Sequence, residues 1–201
     1  MPVFREKIVI LQFENQSIRQ VMELNELIKD CSRRQKKGLH FILTSILIWG
    51  LILAVFLTDL NINQKNIVTF CCSAILLPAA WMLSKVLHID FEGKGNPLTK
   101  AGLLFSINQM LYILIAMWVF AAVPEKMLMV YAMIFGAHLM PFSWLYDSKS
   151  YLVFSIVIPI LALVVGLLYP PSVLAALMVV VEAVFACCLF RECKGIGPAG
   201  E

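Results

Sequence analysis

The chain has 201 residues, of which 61% are apolar and 14% charged, with a formal net charge of +3 and a mean hydropathy of +0.86. Soluble domains run about 45–50% apolar and about 25% charged, so the composition excludes a disordered chain, a soluble enzyme domain and a nucleic-acid module. Charged residues gather in the first 37 positions and in short gaps between long apolar runs, the pattern of an all-α, multi-pass membrane protein.

A bilayer core of about 30 Å takes roughly 20 apolar helical residues. Six runs of that length follow one another: His40–Asp59, Asn66–Leu87, Ala101–Val123, Met127–Leu145, Ser150–Tyr169 and Ser172–Phe190. Upstream, Ser17–Lys37 reads as an amphipathic juxtamembrane helix with Val21, Leu24, Ile28 and Cys31 on one face. Its basic end, Arg33-Arg34-Gln35-Lys36-Lys37, reads as a topology signal at the headgroups rather than a lipid-binding site. The expected organisation is therefore a cytoplasmic segment over residues 1–39, a six-helix bundle over 40–190 and a short tail over 191–201. No signal-peptide pattern is expected, because the first apolar stretch is short and set among charges. Met22 heads the helical stretch, which leaves residues 1–21 open as an upstream extension and Gly195–Glu201 open as added sequence.

With six spans the two termini share a side. That side would hold fourteen of the 16 Lys and Arg residues, the exceptions being Lys65 and Lys126. The positive-inside rule then places both termini in the cytoplasm.

Span two contains Leu76-Leu77-Pro78-Ala79-Ala80-Trp81 and span four Leu139-Met140-Pro141-Phe142-Ser143-Trp144. This is a weak internal repeat of a proline one turn before an interfacial tryptophan. Pro78, Pro141 and Pro159 each remove a helical hydrogen bond and should kink their spans. Gly50, Gly136 and Gly166 read as sites of close helix contact. Thr44, Ser45, Thr69, Ser73 and Ser155 should bond to their own helix carbonyls.

The informative residues are polar groups inside the apolar runs. Glu182, His138, Asn108 and Gln109 each lie seven or eight positions from the near end of their spans, about 10–12 Å deep at 1.5 Å per residue. Tyr131 and His138 share one face of span four, and Asn108 and Tyr112 one face of span three. Together Asn108, Gln109, Tyr112, Tyr131, His138 and Glu182 are candidates for a polar pocket in the cytoplasmic half of the bundle. A Glu182–His138 pair could exchange protons near neutral pH, while Asn108 and Gln109 read more simply as interhelical hydrogen-bonding groups.

No C-x-x-C pair, zinc-type Cys/His spacing, His-Glu-x-x-His helix, Gly-x-Ser-x-Gly turn or phosphate-cradling glycine loop is present. No metal, cofactor, catalytic set or nucleic-acid partner is expected, and the six cysteines read as small hydrophobes. A small-solute transporter or permease, working as a homodimer because the chain is short, accounts best for a polar layer within kinked helices. Two alternatives stay open: a non-catalytic accessory or scaffold subunit, and an intramembrane enzyme using Glu182 and His138.

The segments Asn96–Phe105, Asn108–Tyr112, Pro124–Met127 and Phe135–Leu139 carry a resemblance that spans Met22 to Leu168. In them the chain resembles a family of small uncharacterised six-span integral membrane proteins of Bacillus-like bacteria. The resemblance implies a bacterial plasma membrane as the location, a lipid bilayer as the surroundings, and no activity to carry over.

Overall fold

The structure is a computed structural model that describes residues 20–91 and 95–195. Residues 1–21, open above as an extension, lie almost wholly outside that range, as does the tail from 196 onward. Among the described residues the elements are helical: α1 (20–34), α2 (Leu39–Phe56), α3 (Ile62–Ala74), α4 (Leu76–Val86), α5 (Leu98–Ala122), α6 (Met127–Ala137), α7 (Met140–Leu145), α8 (Lys149–Leu168) and α9 (Pro171–Lys194). Six helical stretches are long and apolar enough to cross a membrane: Lys36–Phe56, Ile62–Val86, Leu98–Ala122, Pro124–Leu145, Lys149–Leu168 and Pro171–Lys194. The expected runs sit within a few residues of these. The main shifts, four residues each, are earlier starts for the first, at Lys36, and the second, at Ile62, and a later end for the sixth, at Lys194.

Local chemistry sets the boundaries. Asn61 and Gln64 form a reciprocal capping box at the start of α3. The Asn96 carboxamide oxygen accepts the Leu98 N–H at 2.9 Å to open α5, and Pro171 occupies the first turn of α9, where its missing donor costs nothing. The lysines of the end opposite the termini have local work: Lys126 Nζ donates to the Gly166 carbonyl at 2.8 Å and Lys65 Nζ to the Phe56 carbonyl at 3.3 Å. Each places a cation where a helix C-terminus leaves carbonyls unpaired.

Two of the prolines break their spans and one does not. Pro78 offers no N–H to the Ala74 carbonyl four residues back, and Pro141 none to Ala137. α3 ends at Ala74 and α6 at Ala137, so each helix stops at the residue whose carbonyl lost its donor. Pro159, expected to kink α8, lies inside a helix that continues from Lys149 to Leu168.

α2 packs most extensively on α9 and α6 on α8, with α8 also against α9. Gly136 makes the α6–α8 approach close: a Cβ there would meet Ile158 Cγ2 and Pro159 Cδ at 2.6 Å. Gly166 likewise admits the Met129 side chain. Gly50 does not fit this expectation, for a Cβ at that position would meet nothing within 4 Å. α5 stands apart, packed on α6 and α7 but largely exposed along its outer side.

The N-terminal helix is amphipathic over part of its predicted face. Ile28 and Cys31 are buried, whereas Val21 and Leu24 are exposed. Asn96 ties α1 down by donating to the Leu27 carbonyl at 2.8 Å and to Asp30 at 2.9 Å. The Arg34 guanidinium beside Asp30 holds that carboxyl below the usual carboxylate range. The basic run that follows is not simply a solvated topology signal. Lys36, Lys37 and Gly38 turn through φ of 44°, 51° and 68°, and this left-handed stretch points the Lys37 side chain inward. Its ammonium donates to the Asp147 carbonyl at 2.8 Å and pairs with Glu192 at 3.1 Å. A non-glycine residue in that region costs about 1–2 kcal/mol, and these contacts offset it. Gly38 admits no side chain, because its Cβ would lie 2.9 Å from the Tyr151 hydroxyl.

Candidate functional site

Between α2, the α3–α4 break, α5 and the α6–α7 break lies a cavity of about 430 Å³. Its wall is mostly apolar, from Ile42, Leu76, Leu77, Leu103, Ile107, Met110, Phe135, Leu139 and Phe142. Polar groups enter from four directions: Ser45 on α2, Ser73 on α3, Ser106 and Gln109 on α5, and His138 at the α6–α7 break. Both helix breaks border the cavity, through Ala74 and Leu76 on one side and His138 and Leu139 on the other.

Two aromatic clusters pack against it. Toward the termini, Phe142 stacks on Tyr146 with centroids 5.9 Å apart, and Tyr146 lies 5.6 Å from Tyr151. These tyrosines are pinned by hydrogen bonds, Tyr146 donating to Gln35 at 2.7 Å and Tyr151 to the Lys37 carbonyl at 3.0 Å. Enclosure in apolar surroundings pushes the Tyr146 phenol far above its ordinary range, so it stays a donor. Behind Tyr151 the Glu192 carboxylate accepts from Ser148 Oγ at 2.7 Å, from Ser150 Oγ at 2.6 Å and from the Ser150 N–H at 2.9 Å. At the opposite end Trp49 packs on Tyr131 and Phe135, and Phe70 on Tyr131 and Phe120, with centroids 5.9–6.4 Å apart.

The structure separates the six residues of the predicted polar layer. His138 and Gln109 line the cavity. The His138 Nδ1 is hydrogen-bonded to the Phe135 carbonyl. A carbonyl can only accept, so Nδ1 carries a proton, and in the neutral ring that tautomer leaves Nε2 as an acceptor. Tyr131 is buried beside the cavity and shares a 2.6 Å hydrogen bond with Ser73, a cavity-wall residue. Asn108 and Tyr112 face outward on α5, away from the cavity, and are exposed. Neither Asn108 nor Gln109 makes a side-chain hydrogen bond among the described residues, so the interhelical bonds expected of them are not seen there.

Glu182 is fully enclosed, at position 12 of the 24-residue α9. It does not meet His138: its one hydrogen-bond partner among the described residues is Ser45, 2.5 Å away, and its other carboxyl oxygen has none. The Glu182–His138 pairing is thus replaced by a Glu182–Ser45 contact, because α9 packs on α2 and His138 stands on the cavity's other wall. Ser45 Oγ also lies 2.7 Å from the Ile42 carbonyl. A hydroxyl has one proton and cannot donate to two acceptors. The set balances when Glu182 is the neutral acid, donating to Ser45 while Ser45 donates to Ile42. That avoids an unpaired charge in an apolar interior.

Ser45, Ser73, Tyr146, Tyr151, Lys37 and Glu192 were missed as parts of this assembly. Ser45 carried a usable signal, since it lies six residues inside α2, about 9 Å deep and close to the estimated depth of Glu182. All five hydroxyls expected to bond to their own helix do so. Two of them, Ser45 and Ser73, also reach across to another helix. No group of three or more His, Cys, Asp or Glu side chains that could hold a metal occurs among the described residues.

The fold and cavity define an all-helical bundle whose six longest stretches could cross a bilayer, with two broken helices framing an internal space. The chain belongs to a family of unknown function, DUF7010, whose family model matches residues 24–192. No curated protein and no solved structure matches it.

Proposed function

We propose that the chain is a multi-pass protein of a bacterial plasma membrane, with both termini cytoplasmic, acting as a small-solute transporter or permease whose site is the cavity between α2 and α7. The observation that carries this reading is the meeting of two broken helices at one cavity. Helix breaks inside a bundle are tolerated where the freed backbone lines a cavity or is buried in protein. Discontinuous helices around a central site are the recurrent construction of solute carriers. The ring of His138, Gln109, Ser45 and Ser73 within an apolar wall suits a small molecule oriented by a few hydrogen bonds, and Glu182 behind Ser45 supplies an exchangeable proton. Fourteen of 16 cations toward the termini support the orientation.

The test is a thermal-shift screen of small solutes on the purified protein in nanodiscs, followed by uptake of each stabilising solute into proteoliposomes. Uptake that is lost in Leu139→Trp, which fills the cavity, is the expected result. Loss of any proton dependence in Glu182→Gln would place the coupling at that residue. Solutes that stabilise Leu139→Trp as well as the parent protein would remove the cavity as the site.

A second reading, association with another copy or with a partner subunit, draws on α5. Asn108 and Tyr112 lie one turn apart on an exposed face of a span-length helix, and an amide in hydrocarbon gains from a partner helix. A disulfide-linked dimer formed by Asn108→Cys in membranes supports a homodimer. Its absence, with a larger protein co-purifying, supports the accessory role.

A further inference from the structure

We infer that the cavity takes its ligand from within the bilayer: a membrane-dissolved, largely apolar molecule with one hydrogen-bond-donating group, such as a long-chain alcohol, entering sideways between α4 and α5. The inference rests on the cavity being the functional site and names the class of molecule that site would hold.

The position of the opening is the first ground. Lining residues on α2 and α6 are enclosed, Ile42 at 3% exposure and Phe135 at 9%, whereas Leu77, Leu103, Ile107 and Met110 are 52–62% exposed and also line the cavity. The mouth is therefore on the flank, where α4 and α5 form no packed interface. Leu77 is nine residues from Val86, and Ile107 nine from Leu98. At 1.5 Å per residue each lies about 13 Å in from its helix end, inside a hydrocarbon core about 30 Å thick.

The aromatic wall is the second ground. Phe142, Tyr146 and Tyr151 line the cavity with their rings packed on one another, and Phe135, which packs on Trp49, lines it as well. A strongly hydrated solute has no route to a mid-membrane mouth, because it would first have to shed its water into hydrocarbon. A molecule already dissolved among acyl chains meets the mouth directly.

The third ground is chemical. The wall offers apolar contact along most of its length and, at the inner face, the His138 Nε2 acceptor left free by the bond from Nδ1 to Phe135. Gln109 adds an amide that can accept or donate. A ligand hydroxyl donating to Nε2 would satisfy both itself and the ring.

The test is photolabelling of the whole chain in lipid nanodiscs with two probes: a diazirine-bearing long-chain alcohol dissolved in the lipid, and the water-soluble diazirine analogue of leucine. Labels are located by mass spectrometry, with outward-facing Leu104 as the reference for ordinary lipid contact. The alcohol is expected to label enclosed Phe135 and Leu139. Met110→Trp, at the exposed rim where folding is insensitive, is expected to lower that labelling relative to Leu104 by about tenfold, as overpacking a site does. Leu103→Trp should act the same way. Alcohol labelling that neither rim variant changes overturns entry through this mouth. Labelling by the leucine analogue without the alcohol overturns the ligand class and leaves the cavity standing as a solute site. Failure of both probes to reach Phe135 and Leu139 overturns the cavity reading itself.

Discussion

Replacing Glu182 tests the proton count at its centre. The side chain is fully enclosed, with one oxygen 2.5 Å from Ser45 Oγ and the other unpartnered. If it is the neutral acid, Glu182→Gln keeps the volume and lets the amide N–H donate to Ser45 as the acid O–H did. The second amide N–H is left without an acceptor, so the expected cost is about 1–2 kcal/mol. Ser45→Ala removes the acceptor of the Glu182 proton and should cost about 1–3 kcal/mol. Glu182→Ala opens a space and should cost more, on the order of 2–5 kcal/mol. Unfolding followed by tryptophan fluorescence reads these, since Trp49 is buried in the aromatic cluster, and each kcal/mol should move the midpoint by roughly 2–4 °C for a chain of this size. An ionised Glu182 instead widens the gap between the two: Ser45→Ala would strand a charge at about 3–5 kcal/mol, while Glu182→Gln would be neutral or stabilising. The infrared spectrum decides independently, through a protonated-carboxyl carbonyl band present at pH 7 and missing from Glu182→Gln. Absence of that band from the unsubstituted protein, or a Glu182→Gln variant more stable than it, refutes the proton count.

The remaining predictions concern packing and the terminal end. Gly136→Ala should destabilise by about 1–3 kcal/mol, because the new methyl meets Ile158 and Pro159 at 2.6 Å, whereas Gly50→Ala should stabilise by roughly 0.5–1 kcal/mol through helix propensity alone. A common thermal-unfolding series would expose any failure of that contrast. Glu192→Ala leaves the Lys37 ammonium with only the Asp147 carbonyl and should cost about 1–3 kcal/mol, with faster proteolysis between α1 and α2; a protease pattern identical to the parent's would count against the brace. Burial, reinforced by the Asp30 carboxylate beside it, pushes the Cys31 thiol up to about 11. The stability this reflects is fully present below the free thiol's value of about 8.5 and falls as pH rises toward 11. Cys31 should therefore resist maleimide at pH 8 in the folded protein, and rapid labelling there would contradict the docking of α1.

Some of this was written in the chain. The apolar runs needed only the length of a helix across hydrocarbon; the chemistry of Asn61 and Pro171 also acts over one turn, yet the second run was expected to start only at Asn66, four residues after Ile62. The breaks at Ile75 and at His138–Leu139 were also local events, since each proline deprives a carbonyl four residues earlier on its own helix. Enclosure of Glu182 followed from its place amid an apolar run. Its partner did not, because depth along a helix gives one coordinate while contact needs the azimuth as well. Asn108 and Gln109 are adjacent in sequence and about 100° apart around α5, so one can line the cavity while the other faces outward.

What the sequence by itself determined is therefore one-dimensional: the number of span-length helices, their order and which of them carry a proline. The depth it assigned Glu182, eight residues from a span end at Phe190, shifts because α9 runs on to Lys194. The tertiary structure decided which helices meet. It gave Glu182 to Ser45 instead of His138, turned Lys37 inward to Glu192 across 155 positions of chain, and left the cavity open on its flank. The physical reason is that side-chain pairing between helices depends on packing angles and rotations set by the whole bundle, through close approaches such as Gly136 against Pro159. No local spacing encodes those.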